Sequence, residues 1–352
     1  MGAAQRGAAT PPCRPGMRAN GWPAKLLIAR QQSGRGNNWI ASAPRSGYSP
    51  RVMLRHRIEA FALRIAIRLF RRLGPVRSSN VGGAAMRWLG PLLSASRTAD
   101  ANLCLALPEL SRSDRVRIVR GAWDNLGRTA AELPHLAALR RSSHGPGWEL
   151  EGGEHLDRLR AQGGPAIFFS AHLGNWELIG PAVMALGIPL AGFYRAASNR
   201  LADEIIRDLR RDACGSDVVM FAKGAAGARA ALAHLGAGGF LGMMMDQKMN
   251  DGIAVAFFDH EAMTASALAR YALRFRCAVM PIHVVRLGPA RFRLVCEAPM
   301  PLPPAGDLAH DTRAVTLAIN RAMESWIRAA PESWLWLHRR WPAARSQRRL
   351  AG

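Results

Sequence analysis

His172 and Glu177 are the residues whose types and spacing best suit chemistry, with four residues between them in Ser170–Leu178, SAHLGNWEL. The apolar run Ala166-Ile167-Phe168-Phe169 precedes them and follows Gly163-Gly164-Pro165. That pattern predicts a buried strand of a parallel or mixed sheet. Trp176, Leu178, Ile179, Val183 and Leu186 then suit a helix. His172 should therefore lie at a strand-to-helix junction, with Glu177 about one turn into the helix. A neutral imidazole there can take a proton from a hydroxyl, an effect worth roughly 10²–10⁴-fold in rate. The positive end of the following helix should disfavour imidazolium and keep His172 neutral at rest. Glu177 can hold one ring nitrogen as donor and offset the charge once the proton has moved. The spacing alone is common, and a lone His near a Glu is more often a hydrogen-bonded bystander.

More polar residues follow predicted strands. Arg195 follows Leu190–Tyr194, Lys223 follows Asp217–Phe221, and Asp246-Gln247-Lys248 follows Phe240–Met245. In open α/β sheets ligands collect at the carboxyl ends of strands, so these residues and His172 form one predicted rim. Arg195, Arg210, Lys223 and Arg286 suit an anionic substrate, because guanidinium forks bind phosphate at two points. Asp246 can hold an arginine or accept from a substrate hydroxyl. The histidines do not pair at metal-ligand spacing, so no metal site is expected. The sequence contains neither a phosphate loop nor a dinucleotide fingerprint, and no GxSxG elbow exposes a serine. Ser170 falls on the strand itself, which disfavours a serine nucleophile.

The elements that must position this rim alternate from Gly163 onward. Predicted helices are Asn199–Arg211, Ala225–Leu235, Ala265–Phe275 with Thr264 as its N-cap, and Ala314–Ala329. Further strands are predicted at Ala254–Phe258, Ala278–Val285 and Phe292–Cys296. Such alternation argues for an α/β domain with a mixed, mostly parallel sheet flanked by helices. Helices over Arg97–Leu107 and Ser113–Leu139 form an N-terminal preamble. The chain thus divides into a disordered basic tail (1–52), an amphipathic helical region (53–140), the α/β domain (141–342) and a disordered tail (343–352). Met53 opens the amphipathic region, and no secretory signal is expected before it, since the apolar core Ala24–Ala29 is short and carries Lys25. Along Ile58–Leu73, Arg57, Arg64, Arg68, Arg71 and Arg72 cluster on one face, while Ile58, Ala62, Leu63, Ile65, Leu69, Phe70 and Leu73 cover the other. This suits a membrane interface, or an ordinary surface helix packed on its own domain. At the far end, Trp334–Trp341 (WLWLHRRW) reads as a helix whose tryptophans pack on the sheet, leaving Arg339 and Arg340 free.

The formal charge of +23 points to acidic partners: anionic lipid, a phosphorylated substrate, an acidic protein or nucleic acid. The five cysteines are scattered without a CxxC, so Cys104, Cys277 and Cys296 read as reduced core residues. No uncharged apolar stretch is long enough for a clear transmembrane helix.

Several segments, in order, resemble the late acyltransferases of lipid A biosynthesis, a glycerolipid-acyltransferase-like family. They are NLCLALPELS (102–111), WDNLGRTAAEL (123–133), SAHLGNWEL, YRAASN (194–199), AKG (222–224), MDQK (245–248), AFFDHEAMTAS (256–266) and PESWLWLHRRW (331–341). The resemblance implies transfer of a fatty acyl chain from acyl carrier protein, through its phosphopantetheine thioester, to a hydroxyl of a lipid A precursor. It implies an enzyme without a bound cofactor on the cytoplasmic face of the inner membrane, peripheral or N-terminally anchored, and not a nucleic-acid binder. Carried onto this chain, His172 is the base, Glu177 its partner, and Arg210 and Asp246 are further catalytic positions. Asn175, Arg195, Asn199, Lys223, Thr264 and Arg286 are the substrate-binding candidates. Two departures bear on substrate detail: Asp259-His260 replaces a usual glycine after Phe-Phe, and Lys248 replaces an acid. Transfer to another lysophospholipid, glycolipid or aminolipid, or a non-enzymatic basic binding protein, are the competing readings.

Overall fold

The computed structural model describes residues 50–341 apart from 216–217. Most of the expected basic tail and the expected 343–352 tail lie outside the described residues, whereas residues 50–52 are already helical. Among the described residues, seven strands form the main sheet, in the order β1 (Gly147–Glu151), β9 (Arg291–Cys296), β8 (Ala278–Gly288), β2 (Ala166–Ser170), β5 (Phe240–Met244), β3 (Leu190–Tyr194) and β4 (Met220–Ala222). Every neighbouring pair is parallel except β8 with β9. The fold is thus α/β with a mostly parallel mixed sheet. β2 is central, pairs on both sides and is buried throughout, which is why AIFFS reads as a continuous apolar run. Its side chains alternate: Ile167 and Phe169 enter one core, Ala166 and Phe168 the other. The first core is filled by helices α2 (Ala95–Ala106), α3 (Arg112–Glu132), α7 (Ala225–Gly236), α8 (Ala267–Phe275) and α9 (Leu308–Ala329). The second lies under α4 (Gly153–Gln162) and α5 (Ile179–Ala185).

A separate antiparallel hairpin joins β6 (Ile253–Phe257) to β7 (His260–Thr264). Its two-residue turn is Phe258-Asp259, with φ of 51° and 59°. Primed turns of this kind need positive φ, which explains a glycine preference where this chain carries Asp259. Thr264 ends β7 and does not cap α8; Ser266 stands at that position. β1 and α4, joined through Gly152, had no clear sequence signal, since β1 is an edge strand of only five residues, GWELE.

Helix α1 (Pro50–Leu89) carries the predicted amphipathic stretch and kinks at Gly74, φ 74°, just before Pro75. Its C-terminal half lies close along α3, where a Cβ on Gly82 would fall 2.5 Å from the Ala131 methyl. The N-terminal half does not bury all its large side chains: Leu54, Ile58, Phe61, Ile65 and Leu69 are exposed, with Phe61 at 61%. At helical spacing they form one stripe, and Arg57, Arg64, Arg68 and Arg71 flank it. An ordinary surface helix would turn that stripe inward. Among the described residues, no helix is long and apolar enough to cross a membrane.

Two local expectations are corrected. The Trp334–Trp341 segment is not helical. After a 3₁₀ turn at Pro331–Ser333 it bridges Leu173 at Trp334, turns again at Trp336-Leu337 and bends at His338, an irregular strap. Its tryptophans are buried, but so is Arg340, which donates to Met263 O and Thr264 Oγ1 and lies over the Phe257 ring. Cys277 and Cys296 are buried, whereas Cys104 is exposed on α2, between the buried Leu103 and Leu105.

Candidate active site

β2 ends at Ser170, and the bend after it carries His172. The neighbouring β5 keeps register past its own end, because Met245 N donates to Ser170 O at 2.9 Å. That brings the next residue, Asp246, against the imidazole. Asp246 Oδ1 lies 2.8 Å from His172 Nδ1, and Oδ2 accepts His172 N at 2.9 Å and Trp334 Nε1 at 2.8 Å. Asp246 is fully buried, while the His172 side chain keeps 17% exposure. An ionised carboxylate only accepts, so Nδ1 carries the proton and Nε2 is left as the acceptor. Trp176 walls the ring edge-on at 5.2 Å.

Glu177 is therefore not the ring's direct partner. The residues after His172 form a loop and a 3₁₀ turn, Trp176–Leu178, before α5 begins. Glu177 is instead gripped by Arg210 of helix α6 (Arg200–Cys214), whose Nε and Nη2 reach its two oxygens at 2.8 and 2.6 Å. Burial raises the Glu177 pKa, but Arg210 outweighs it and holds the carboxyl below its ordinary range. Burial also opposes charge on His172, yet the Asp246 carboxylate, with smaller help from Glu177, lifts the ring above an ordinary imidazole. The expected resting neutrality is thus reversed in direction, because the nearby carboxylates dominate and no α-helix starts at the ring. Asp246 is held ionised, well below its usual value, by the same imidazole despite its burial.

The arrangement is a carboxylate-oriented, partly exposed histidine with a second, arginine-neutralised carboxylate beside it. Residues 48–343 match the bacterial lipid A biosynthesis acyltransferase family. The chain belongs to that family. It is also similar to a lipid A biosynthesis acyltransferase of Haemophilus influenzae, 22% identical over 253 residues, which cover 71% of this chain and 77% of the relative. Acyl transfer in lipid A synthesis is the activity that this membership assigns.

The acyltransferase places the remaining candidates unevenly. Arg195 and Lys223 are exposed at the carboxyl ends of β3 and β4, brought level by Lys223 N donating to Tyr194 O at 3.0 Å. β5 stands between them and the His172 strand. Asn199 is buried as the N-cap of α6: its Oδ1 accepts Leu201 N and Ala202 N, and its amide donates to His56 O and Glu59 of α1. Asn175 is fully buried and donates to Glu132. Thr264 is fully buried against Arg340. Arg286, on β8, donates to Asn125, Glu132 and Thr129 of α3. All four meet protein partners through these side chains, although Asn175 Oδ1 is buried without one among the described residues. Trp334 is the site residue that sequence reasoning missed, having been read only as packing. Among the described residues, no cluster of three or more His, Cys, Asp or Glu side chains offers a metal site.

Proposed function

We propose that the enzyme moves a fatty acyl chain from the phosphopantetheine thioester of acyl carrier protein to a hydroxyl of a lipid A precursor, with His172 as general base. The Nδ1 contact with buried Asp246 carries this reading, since it leaves Nε2 of the partly exposed ring to accept a proton. In the first step Nε2 takes the acceptor's proton as its oxygen attacks the thioester carbonyl. Asp246 stabilises the resulting imidazolium, and Glu177 adds a second negative charge. When the tetrahedral intermediate collapses, the C–S bond breaks and the imidazolium returns its proton to the departing thiolate. Donors for the developing oxyanion, backbone N–H groups or an arginine, complete the requirement.

The test is acyl-carrier-protein-dependent acylation of a lipid A precursor, followed by mass spectrometry, with circular dichroism on each protein. His172→Ala is expected to abolish turnover and keep the fold, because the ring keeps partial exposure and belongs to neither hydrophobic core. A base must be neutral to act. A ring raised above 6.5 therefore places the acid limb of the wild-type rate above that pH, with activity lost as pH falls through it. Near-wild-type turnover in His172→Ala would remove the base from the mechanism.

The exposed stripe on α1 supports a peripheral location at the cytoplasmic face of the inner membrane. Leu54, Ile58, Phe61, Ile65 and Leu69 would enter the headgroup boundary, and the flanking arginines would meet lipid phosphates, each worth about 1 kcal/mol. Sedimentation with anionic vesicles should weaken with salt and with Arg64→Glu plus Arg68→Glu. Binding indifferent to both would exclude α1 as the anchor.

A further inference from the structure

The strap after the Pro331–Ser333 turn reaches both halves of the catalytic pair. Gly174 N donates to Ser333 O and Leu335 N donates to His172 O, each at 3.1 Å, as the rungs of a short antiparallel bridge. From the same strap, Trp334 Nε1 donates to Asp246 Oδ2 at 2.8 Å. One three-residue piece thus grips the backbone of the base and the side chain of its carboxylate. The strap is itself anchored. Asn125 Nδ2 donates to Gly174 O and Ser333 O, and Asn102 Nδ2 donates to Trp336 O and His338 O. The Trp334 ring is buried, edge-on to Trp336 at 4.5 Å and to Phe257 at 5.9 Å.

We propose that Trp334 is a positioning residue for acyl transfer, its indole N–H fixing the Asp246 carboxylate against the His172 ring. The inference rests on the reading of His172 as general base. A carboxylate swings about its Cβ–Cγ bond unless both oxygens are held. Oδ2 takes two donors, His172 N and Trp334 Nε1, and this aims Oδ1 at Nδ1. The donors also draw charge from the carboxylate. Without the indole N–H, Asp246 attracts the ring proton more strongly, so the base is freed only at higher pH. The other charged or titratable groups acting on this pair are Glu177 and Arg210 beside the ring, and His338 and Arg340 on the strap. The test leaves these groups in place, although the Trp334 ring that it replaces also lies edge-on to His338 at 5.6 Å.

Trp334→Phe removes the N–H and keeps most of the ring. Trp336→Phe is the matched control: that indole is equally buried on the same strap, but donates to Pro331 O. The measurements are kcat/KM against pH, thermal melting, and the titration of the His172 ring followed by NMR of labelled imidazole. In Trp334→Phe, the acid limb and the ring titration should move up by about half a unit to one unit. On the acid limb this lowers kcat/KM about 3- to 10-fold. Trp336→Phe should leave both profiles in place, whatever either substitution does to melting. Equal profiles for the two variants would overturn the inference and leave the strap a packing element. Should Trp334→Phe fail to fold, benzothienylalanine at position 334 removes the N–H with ring size kept, and the same two outcomes decide. His172→Ala is assayed alongside. Turnover there would defeat the base reading, whereas an inactive His172→Ala with an unmoved Trp334→Phe profile would defeat only this inference.

Discussion

Asp246→Asn is expected to slow acyl transfer by about 10³–10⁴-fold while leaving the fold in place. The loss of an oriented carboxylate in a serine-protease triad sets that scale. Asn can present its amide nitrogen to His172 Nδ1. The ring must then protonate on Nε2, the atom that has to accept from the acceptor hydroxyl. Asn also cannot stabilise the imidazolium that forms once the proton has moved. Glu177→Gln is the informative companion. Glu177 acts on the ring through space and is already engaged by both arms of Arg210. Its amide removes a negative charge and leaves the Arg210 cation, so the ring becomes easier to deprotonate and the acid limb moves to lower pH. The loss at the pH optimum should be smaller than for Asp246→Asn. Activity, pH profile and circular dichroism on the two variants check this. A deeper loss in Glu177→Gln, or an intact rate in Asp246→Asn, would make Glu177 the working partner of the base.

The sequence carried His172, the strand before it and the carboxyl-end rim, because those signals are local. AIFFS is an unbroken apolar run because β2 is paired on both sides and covered on both faces. The choice between the two acids was not local. Glu177 is five positions from His172 and Asp246 is 74, so chain proximity favoured the acid that the structure gives to Arg210. The protein contacts of Asn175, Asn199, Thr264 and Arg286 were hidden in the same way. A polar residue in a motif looks alike in sequence whether it faces a substrate or a distant carboxylate. β7, HEAMT, was hidden because its first two residues are exposed and polar, and its pairing with β6 is set by a two-residue turn lacking glycine. The strap was misread because its apolar content was weighed, while its turn at Trp336-Leu337 carries no glycine or proline to mark it.

Arg286→Ala is expected to destabilise the protein by about 3–5 kcal/mol, the scale for leaving one charge of a buried pair without its partner. Glu132 is fully buried at the end of α3. Its Oε1 meets Arg286 Nη1 and Ala290 N, and its Oε2 accepts from Asn175. Without the guanidinium, two neutral donors remain for a charge sealed from water. The damage reaches further, because Arg286 Nε also satisfies Asn125 Oδ1, and the Asn125 amide holds Gly174 O and Ser333 O beside the His172 loop. Arg286 also covers the Phe292 ring at 5.0 Å, a contact that alanine loses. Urea denaturation should show the lower midpoint. A double variant, Glu132→Leu with Arg286→Met, should recover part of the loss, because it removes both charges together. A substrate-binding Arg286 makes the opposite forecast: an unchanged midpoint with a raised KM for the anionic acceptor. That outcome would return Arg286 to the substrate site. A lowered midpoint with KM unchanged at a temperature where the variant is folded fixes it as the buried tie between α3 and β8.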